Sequence, residues 1–307
     1  MSPLLFDIIL FIIIFFIILL INYGICYNSK KIENMNNLSN SKMKIWTYWE
    51  NLPNKNKPPY INLCYKTLEK HCKDCDIIKL DNNNIYSYLP NLRKDINSLI
   101  LAHKTDYIRV ALLYKYGGCW IDADTIIMNS LDPIKNKLNE GYDYIGFGCS
   151  NIICKNGYPF PSNMVMASQK GSILMKKTLI DLDNILDDYY SLNKKKYFDY
   201  FDLGKNLLWK NIKLLKKSQN YNYYHFSAEV DGTRDSNFKW VNVKNHLSTT
   251  PTKLINENKL LFIFLENNKL CGDNSKYNWF CKLSEEDILK GKYWISTMFK
   301  KSLYGIN

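Results

Sequence analysis

The stretch YKYGGCWIDADTIIM, Tyr114 to Met128, contains the features that decide the fold. Two glycines, Gly117 and Gly118, follow a long helical pattern, where a helix is expected to end. An apolar segment with two aspartates, Asp122 and Asp124, comes directly after them. The segment CWIDADTIIM is predicted to be one strand. Alternate side chains of a strand share a face, so both carboxylates are expected to point the same way.

Strand and helix patterns alternate around this stretch. The segments MKIWTYWE, DIIKLD, YDYIGFG and NMVMAS are typical of strands. Helices are predicted for YINLCYKTLEKHC and for Leu99–Tyr116, Ile173–Tyr190 and Tyr200–Lys217. This alternation predicts an α/β domain with a mostly parallel sheet, occupying residues 43–307 as a single domain.

The first 27 residues form a separate, strongly apolar segment. Leu4 to Tyr27 is long enough to cross a bilayer, which takes roughly 20 residues as a helix. A cleaved signal peptide would begin with basic residues and end at a small-residue cleavage site, and neither is present. We therefore predict an uncleaved single-pass anchor at 1–27 and a polar linker at 28–42. Lys30 and Lys31 favour a cytosolic domain, whereas the sequon at Asn37 could be glycosylated only in a lumenal one.

The charge and the cysteines exclude some classes of partner. The net charge is +12, but the basic residues are scattered, with no signature of nucleic-acid binding, so none is predicted. Of the nine cysteines, Cys72 and Cys75 form a C-x-x-C without the second ligand pair that a zinc site needs. Ordinary thiols or one local disulfide are favoured there. Cys271 and Cys281 could bridge a loop in an oxidising compartment.

The two aspartates suit a divalent cation. Mg²⁺ favours one or two protein carboxylates with substrate phosphates completing its shell, so the pair would fit a diphosphate ligand. Alternatively, both are solvated or capping residues at the end of a strand. Asp106 and Arg109 lie three residues apart on the preceding helix, hence on one face. They would stand beside the metal, or form a surface ion pair of little energetic consequence.

The segment AHKTDYIRVALLYKYGGCWIDADTI resembles the signature of DXD glycosyltransferases of the capsular polysaccharide synthesis type. Those enzymes are related to the family 32 sugar transferases and, more distantly, to the glucosylating clostridial toxins. The shared pattern is Asp-x-x-Arg, a helix, Gly-Gly, an aromatic residue and Asp-x-Asp. The resemblance runs from about Lys44 to Lys177. It includes KIWTYWEN and IIKLDNNNIYSYLP upstream and PFPSNMVMASQKGSILMK downstream.

The resemblance implies a GT-A fold, which is Rossmann-like, that binds a nucleotide sugar. Trp49 falls where the family stacks an aromatic ring on the nucleobase, although a core tryptophan is the equal alternative. Asp106 and Arg109 fall at the donor-binding Asp and Arg. Asp122 would contact the ribose or sugar near the metal, and Asp124 would be the direct ligand of Mn²⁺ or Mg²⁺.

Other site residues are implied less directly. Asn163 is expected to face the sugar or the acceptor, with a polar loop residue as the alternative. His246 is the candidate third metal ligand, although a lone histidine is more often structural. The acidic residues of FSAEVDGTRD are candidates for the acceptor side by composition alone; these are Glu229, Asp231 and Asp235.

The predicted function is metal-dependent transfer of a sugar from a nucleotide-diphosphate sugar, a UDP-sugar being favoured, to a glycan or lipid-linked acceptor. Retention of anomeric configuration is expected. A haloacid-dehalogenase-like phosphatase is an alternative, because IDADT fits D-x-D-x-T with Asp122 as nucleophile and Asp124 as general acid. A non-catalytic, membrane-anchored nucleotide-sugar-binding protein is another. No G-x-G-x-x-G follows a strand, which argues against an NAD-binding enzyme.

Overall fold

The structure is a computed structural model that describes residues 42–148, 160–191, 198–218 and 221–306. Residues Met43–Asn307 form one compact unit. The predicted anchor and almost all of the linker, with the sequon at Asn37, lie outside the described residues. Among the helices that are described, none is both long and apolar enough to cross a membrane.

Within the described residues, eight strands form two sheets. Their bounds are β1 Met43–Tyr48, β2 Cys75–Leu80, β3 Gly118–Ile121, β4 Thr125–Ile127, β5 Tyr144–Phe147, β6 Ser162–Ser168, β7 Tyr223–Phe226 and β8 Phe262–Phe264. The main sheet has six strands in the order β2-β1-β3-β6-β5-β7, and β4 and β8 form a small antiparallel sheet. In the main sheet β6 runs against both of its neighbours, and the other pairs are parallel. The sheet is therefore mostly parallel, as predicted.

Helices fill the connections between the strands. Their bounds are α1 Pro59–His71, α2 Ile85–Tyr88, α3 Leu101–Tyr116, α4 Asp132–Asn139, α5 Ile173–Ser191, α6 Leu207–Ser218, α7 Val243–His246, α8 Asn267–Cys271, α9 Glu285–Lys290 and α10 Trp294–Tyr304. Short 3₁₀ segments span Lys94–Ser98, Glu257–Lys259 and Asn278–Lys282, and a π-turn spans Asp202–Asn206. The predicted helix Tyr200–Lys217 thus begins later, at Leu207, because the backbone of Gly204 leaves helical geometry.

The Gly-Gly pair connects α3 to β3 without a loop. Gly117 caps α3 at φ 69° and Gly118 follows at φ 94°, a region that side chains other than hydrogen disfavour. A β-carbon on Gly117 would lie 2.5 Å from the Lys170 nitrogen, and one on Gly118 would overlap the carbonyl oxygen of Lys44. Both glycines are therefore required by the sharp turn and by the close approach of neighbouring backbone. The predicted end of the helix is confirmed.

The prediction of one continuous strand for CWIDADTIIM is wrong. β3 ends at Ile121 and β4 begins at Thr125, so Asp122 and Asp124 lie in a turn between strands of different sheets. The Asp122 N–H still donates to the Met164 carbonyl of β6 (3.1 Å), whereas the Asp124 carbonyl accepts from the N–H of Leu265, which follows β8 (3.1 Å). The chain changes hydrogen-bonding partner at the aspartates, and this change breaks the strand.

The main sheet buries both of its faces. On one face Trp46 and Trp120, adjacent in register on β1 and β3, pack in the cluster that includes α3 and α5. On the other face Ile45 and Cys119 pack against Leu68 of α1. Two covered faces are the usual arrangement of a mostly parallel sheet, and they leave its edges for binding.

The cysteines divide into bonded and free residues. Cys271 and Cys281 form a disulfide with their α-carbons 5.8 Å apart, whereas Cys72 and Cys75 are free thiols. The bonded pair closes the loop between α8 and the 3₁₀ segment Asn278–Lys282, close in the chain to the residues that contact Asp124.

Candidate active site

The predicted donor-site residues gather at one edge of the main sheet. β1 and β3 are parallel and end there, at Tyr48 and Ile121, and the antiparallel β6 begins there with Ser162. Trp49, Asp122 and Asn163 therefore follow or open strands at the same edge. The carboxyl ends of the parallel strands of an α/β sheet are where such folds bind ligands.

Arg109 of α3 connects the acidic residues of the site. Its guanidinium contacts Asp106 Oδ1 (Nε, 3.4 Å) and Asp122 Oδ1 (Nη1, 3.2 Å). The same Nη1 donates to the carbonyl oxygen of Asn163, and the group lies 5.1 Å from the centre of the Trp120 ring. Arg109 is only 6% exposed, so it is an internal counter-ion rather than half of a surface ion pair.

Asp106 is a buried acid held by three contacts. Its Oδ1 accepts a hydrogen bond from the amide of Asn163 (2.8 Å), and it pairs with Arg109. The backbone of Gly204 lies against the same carboxyl, leaving no room for a β-carbon. Burial raises the pKa of Asp106 to about 7, opposed by Arg109 and reinforced by the charge of Asp122.

Asp122 and Asp124 are held by separate donors. Asp122 Oδ1 accepts from the Trp120 indole N–H (2.7 Å), and Asp124 Oδ2 accepts from the Asn267 N–H (2.7 Å). Burial raises the pKa of both carboxyls, for Asp124 to about 6, with the charge of Asp122 as the next cause. Asp106 and Asp122 thus share one buried arginine, whereas Asp124 has no ion pair in the described part of the chain, and the site carries an excess of negative charge.

Sequence reasoning missed the segment that contacts Asp124 from the far end of the chain. Glu266 and Asn267 follow β8, which pairs with β4 directly after Asp124. Glu266 adopts a left-handed backbone (φ 50°), and its charge contributes to the raised pKa of Asp124. Tyr60 of α1 donates to Asn267 Oδ1 (2.5 Å) and fixes that residue. The sequence LENN, residues 265–268, carries no distinctive motif. Only the pairing of β4 with β8 shows that Glu266 and Asn267 lie beside Asp124.

Trp49 lies where β1 leaves the sheet. It is half-buried, its indole N–H donates to Asn51 Oδ1 (2.9 Å), and its backbone N–H donates to the Leu80 carbonyl (2.9 Å). Next to it, the buried Lys104 of α3 pairs with Glu50 (2.7 Å). This ion pair ties the end of β1 to α3, and part of the Trp49 ring stays open to solvent.

The structure does not bring His246 to the aspartates. Its ring is buried and stacks on Trp294, with centroids 5.7 Å apart and planes 8° apart. Neither ring nitrogen has a hydrogen-bond partner in the described part of the chain, and burial lowers the pKa of His246 to about 3. In residues 42–148, 160–191, 198–218 and 221–306, no three His, Cys, Asp or Glu side chains converge as a metal-binding group. The role of His246 as the third metal ligand stays a prediction.

The acidic residues of FSAEVDGTRD make local contacts. Asp231 accepts from the N–H and hydroxyl of Thr233, and Glu229 pairs with Lys259 (3.1 Å). Asp235 accepts from two backbone N–H groups of its own turn. These contacts account for the three residues structurally, and their place on the acceptor side stays a prediction.

The donor set fits a hard divalent cation. Its members are carboxylate oxygens, burial raises their pKa values, and Arg109 is the only cation paired with them among the described residues. Glu266 Oε2 is buried and has no hydrogen-bond partner among the described residues. Mg²⁺ and Mn²⁺ prefer oxygen ligands, and Mg²⁺ is commonly held by only one or two protein carboxylates. The pair Asp122 and Asp124 meets that requirement.

Comparisons with known proteins find transferases. The O-glycosyltransferase PaGT of Phomopsis amygdali is 22% identical over 152 residues, covering 45% of this chain and 37% of that protein. The glycosyltransferase afumC of Aspergillus fumigatus is 23% identical over 146 residues, covering 43% and 37%. The matched region thus spans little more than a third of these relatives. A solved galactosyltransferase, LgtC in complex with donor and acceptor sugar analogues, is 12% identical, with a TM-score of 0.40 and coverage of 81% and 100%.

A family profile covers most of the chain. The profile described as capsular polysaccharide synthesis protein matches residues 18–250. This range contains Arg109 and the three residues that its side chain contacts, Asp106, Asp122 and Asn163. The chain belongs to the capsular polysaccharide synthesis protein family.

Proposed function

We propose that the chain is a metal-dependent glycosyltransferase of the GT-A type. It transfers a sugar from a nucleotide-diphosphate sugar, a UDP-sugar being favoured, to a glycan or lipid-linked acceptor, with retention of configuration. The observation that carries the proposal is the contact of Arg109 with both Asp106 and Asp122 at the sheet edge, beside Asp124. The family membership and the transferase relatives support it.

Asp124 and Asp122 would hold Mn²⁺ or Mg²⁺. When bound, the cation supplies neutralisation of the diphosphate and Lewis-acid stabilisation of the leaving group. The free oxygen of each carboxyl is the expected ligand, since Asp122 Oδ1 and Asp124 Oδ2 already accept hydrogen bonds. Trp120 and Asn267 thereby orient the two acids before any ligand arrives.

The chain's own residues bind and orient the donor. The partly open ring of Trp49 is the stacking surface for the base at the end of β1. Asp106 accepts hydrogen bonds from sugar hydroxyls, and the Asn163 amide holds its carboxyl in place. Arg109 balances part of the negative charge and keeps Asp106 and Asp122 apart at fixed distances. The N-terminal segment would anchor this domain beside a membrane-bound acceptor.

The first experiment is a donor screen. The full chain, purified in detergent, is incubated with a panel of UDP- and GDP-sugars, with Mn²⁺ or with chelator, and released nucleotide is measured. We expect metal-dependent release from one donor and its loss in Asp124→Asn. Asp76→Asn is the matched control, because Asp76 is a half-exposed carboxylate on β2 that pairs with Lys44.

Three outcomes would contradict the proposal. Metal-independent release would contradict the cation site, and normal release by Asp124→Asn would contradict the role of that residue. Phosphate release from p-nitrophenyl phosphate without nucleotide-sugar turnover would favour the phosphatase. Tight nucleotide binding without turnover across donors and acceptors would favour a non-catalytic binding protein.

A further inference from the structure

Two adjacent aromatic residues, Tyr200 and Phe201, expose large ring surfaces beside the site. They are 49% and 47% exposed, with ring centroids 5.1 Å apart and planes at 90°. Lys205 lies 3.9 Å from the centre of the Phe201 ring. Lys205 thus covers part of the Phe201 ring, and no cation covers the Tyr200 ring among the described residues.

Tyr200 is connected to the site on two sides, by a hydrogen bond to Asn268 and through the π-turn that follows it. Its hydroxyl accepts a hydrogen bond from the Asn268 amide (2.8 Å), and the neighbouring Asn267 donates to Asp124 (2.7 Å). On the other side, the π-turn that follows Tyr200 lies against α3, which carries Asp106 and Arg109, and against β6. A β-carbon on Gly204 of this turn would lie 2.6 Å from Asn163 Nδ2.

Electrostatics agree with this position. Burial raises the pKa of the Tyr200 hydroxyl, and the charges of three acids raise it further; these are Asp122, Asp106 and Asp124. The Tyr200 hydroxyl therefore lies within electrostatic range of the three carboxyls, in agreement with its hydrogen bond to Asn268. Its half-exposed ring, unlike the buried Asp106 and Arg109, faces the solvent from which a second substrate arrives.

We propose that the ring of Tyr200 is the platform on which a pyranose ring of the acceptor stacks. This rests on the proposed transferase function. Trp49, where the nucleobase is proposed to stack, follows β1, whereas the π-turn after Tyr200 lies on the β6 side of β3. The two aspartates that follow β3 therefore lie between the Trp49 ring and the Tyr200 ring. The weakly positive C–H face of a pyranose matches the negative face of an aromatic ring. Phe201 packs at a right angle to the Tyr200 ring, and Asn268 holds its hydroxyl.

The test separates acceptor binding from donor binding. Methyl glycosides of glucose, galactose, mannose and N-acetylglucosamine are titrated into the full chain loaded with UDP and the diamagnetic Mg²⁺, and binding is followed by saturation-transfer NMR. For the sugar that binds, Tyr200→Ala is expected to weaken binding about tenfold. Tyr200→Phe is expected to bind within about threefold of wild type, because it keeps the ring and loses only the bond to Asn268.

The matched control is Tyr304→Ala. Tyr304 is 59% exposed and lies at the end of α10. Ser302 of the same helix contacts His71 at the end of α1, close in the chain to the start of β2. Tyr304 therefore lies at the opposite edge of the sheet from the site. Sugar binding unchanged in Tyr200→Ala, or no glycoside of the panel binding to wild type, would overturn the proposal. Loss of UDP affinity in Tyr200→Ala with glycoside binding intact would assign the ring to the donor instead. Failure of wild type to bind UDP is a different result, and it refutes the transferase function itself.

Discussion

Replacing Gly204 by alanine tests whether the π-turn positions the donor-binding acid. The added β-carbon would overlap the Asp106 carboxyl and lie 2.6 Å from Asn163 Nδ2, so one or both side chains must move. Overpacking of this kind costs about 1–3 kcal/mol of unfolding free energy, or about 2–12 °C in Tm for a domain of this size. Loss of one hydrogen bond to the Asp106 carboxylate would weaken donor binding by about tenfold to a hundredfold.

The control for this variant is Gly141→Ala. Gly141 has φ 89° and nothing within 4 Å of an added β-carbon, so alanine there introduces backbone strain of about 1–2 kcal/mol without a steric contact. Both variants are assayed by thermal unfolding and by calorimetric titration with UDP and Mn²⁺ or with the donor found in the screen. We expect both to lose stability and only Gly204→Ala to lose affinity. Wild-type affinity in Gly204→Ala, or an equal loss in Gly141→Ala, would refute the reasoning.

Three further variants test the electrostatics and the covalent link. The pKa of Asp106 is about 7 instead of 3.8, so its contribution to stability is present below about pH 4 and is lost as the pH rises to about 7. Asp106→Asn removes the resulting cost of at most about 4 kcal/mol at high pH. The variant should therefore have a higher Tm than wild type at pH 8 and nearly the same Tm at pH 4. An unchanged Tm difference across this range would contradict the raised pKa. Joint replacement of Cys271 and Cys281 by serine should destabilise the domain by about 3 kcal/mol, the loop-closure entropy of a ten-residue separation, measured by urea unfolding. His246→Phe tests the predicted third ligand: because the ring packs on Trp294 within the core, the variant should keep the metal dependence of nucleotide release. Loss of that dependence in a folded variant would support His246 as a metal ligand.

Local sequence patterns predicted the parts of the site that local structure creates. The helical period up to Tyr116 and the glycines at 117 and 118 determine where α3 ends and β3 begins. The three-residue spacing of Asp106 and Arg109 puts both on the face of α3 that meets Asp122. Because each of these features is settled within one or two turns of chain, the sequence alone was sufficient to predict them.

Long-range pairing determines what the sequence did not reveal. The break between β3 and β4 occurs because β4 pairs with β8, more than a hundred residues later in the chain. Nothing in the letters of CWIDADTIIM indicates that partner, and a continuous apolar run reads as one strand. The same pairing brings Glu266 and Asn267 to Asp124, and the contact of Gly204 with Asp106 depends in the same way on tertiary packing.

The charge balance of the site constrains the order in which ligands bind. In the described part of the chain, Arg109 is the only cation paired with Asp106 and Asp122, and Asp124 has none. Burial of the three carboxyls raises their pKa values, which shows the cost of holding them ionised there. A free nucleotide diphosphate would add further negative charge to a site that already has an excess, and burial would strengthen the repulsion. A divalent cation bound to the diphosphate reverses the sign of the interaction and favours the ionised acids. The donor is therefore expected to bind as its metal complex, with an affinity that falls as the pH is lowered through about 6, where Asp124 becomes protonated.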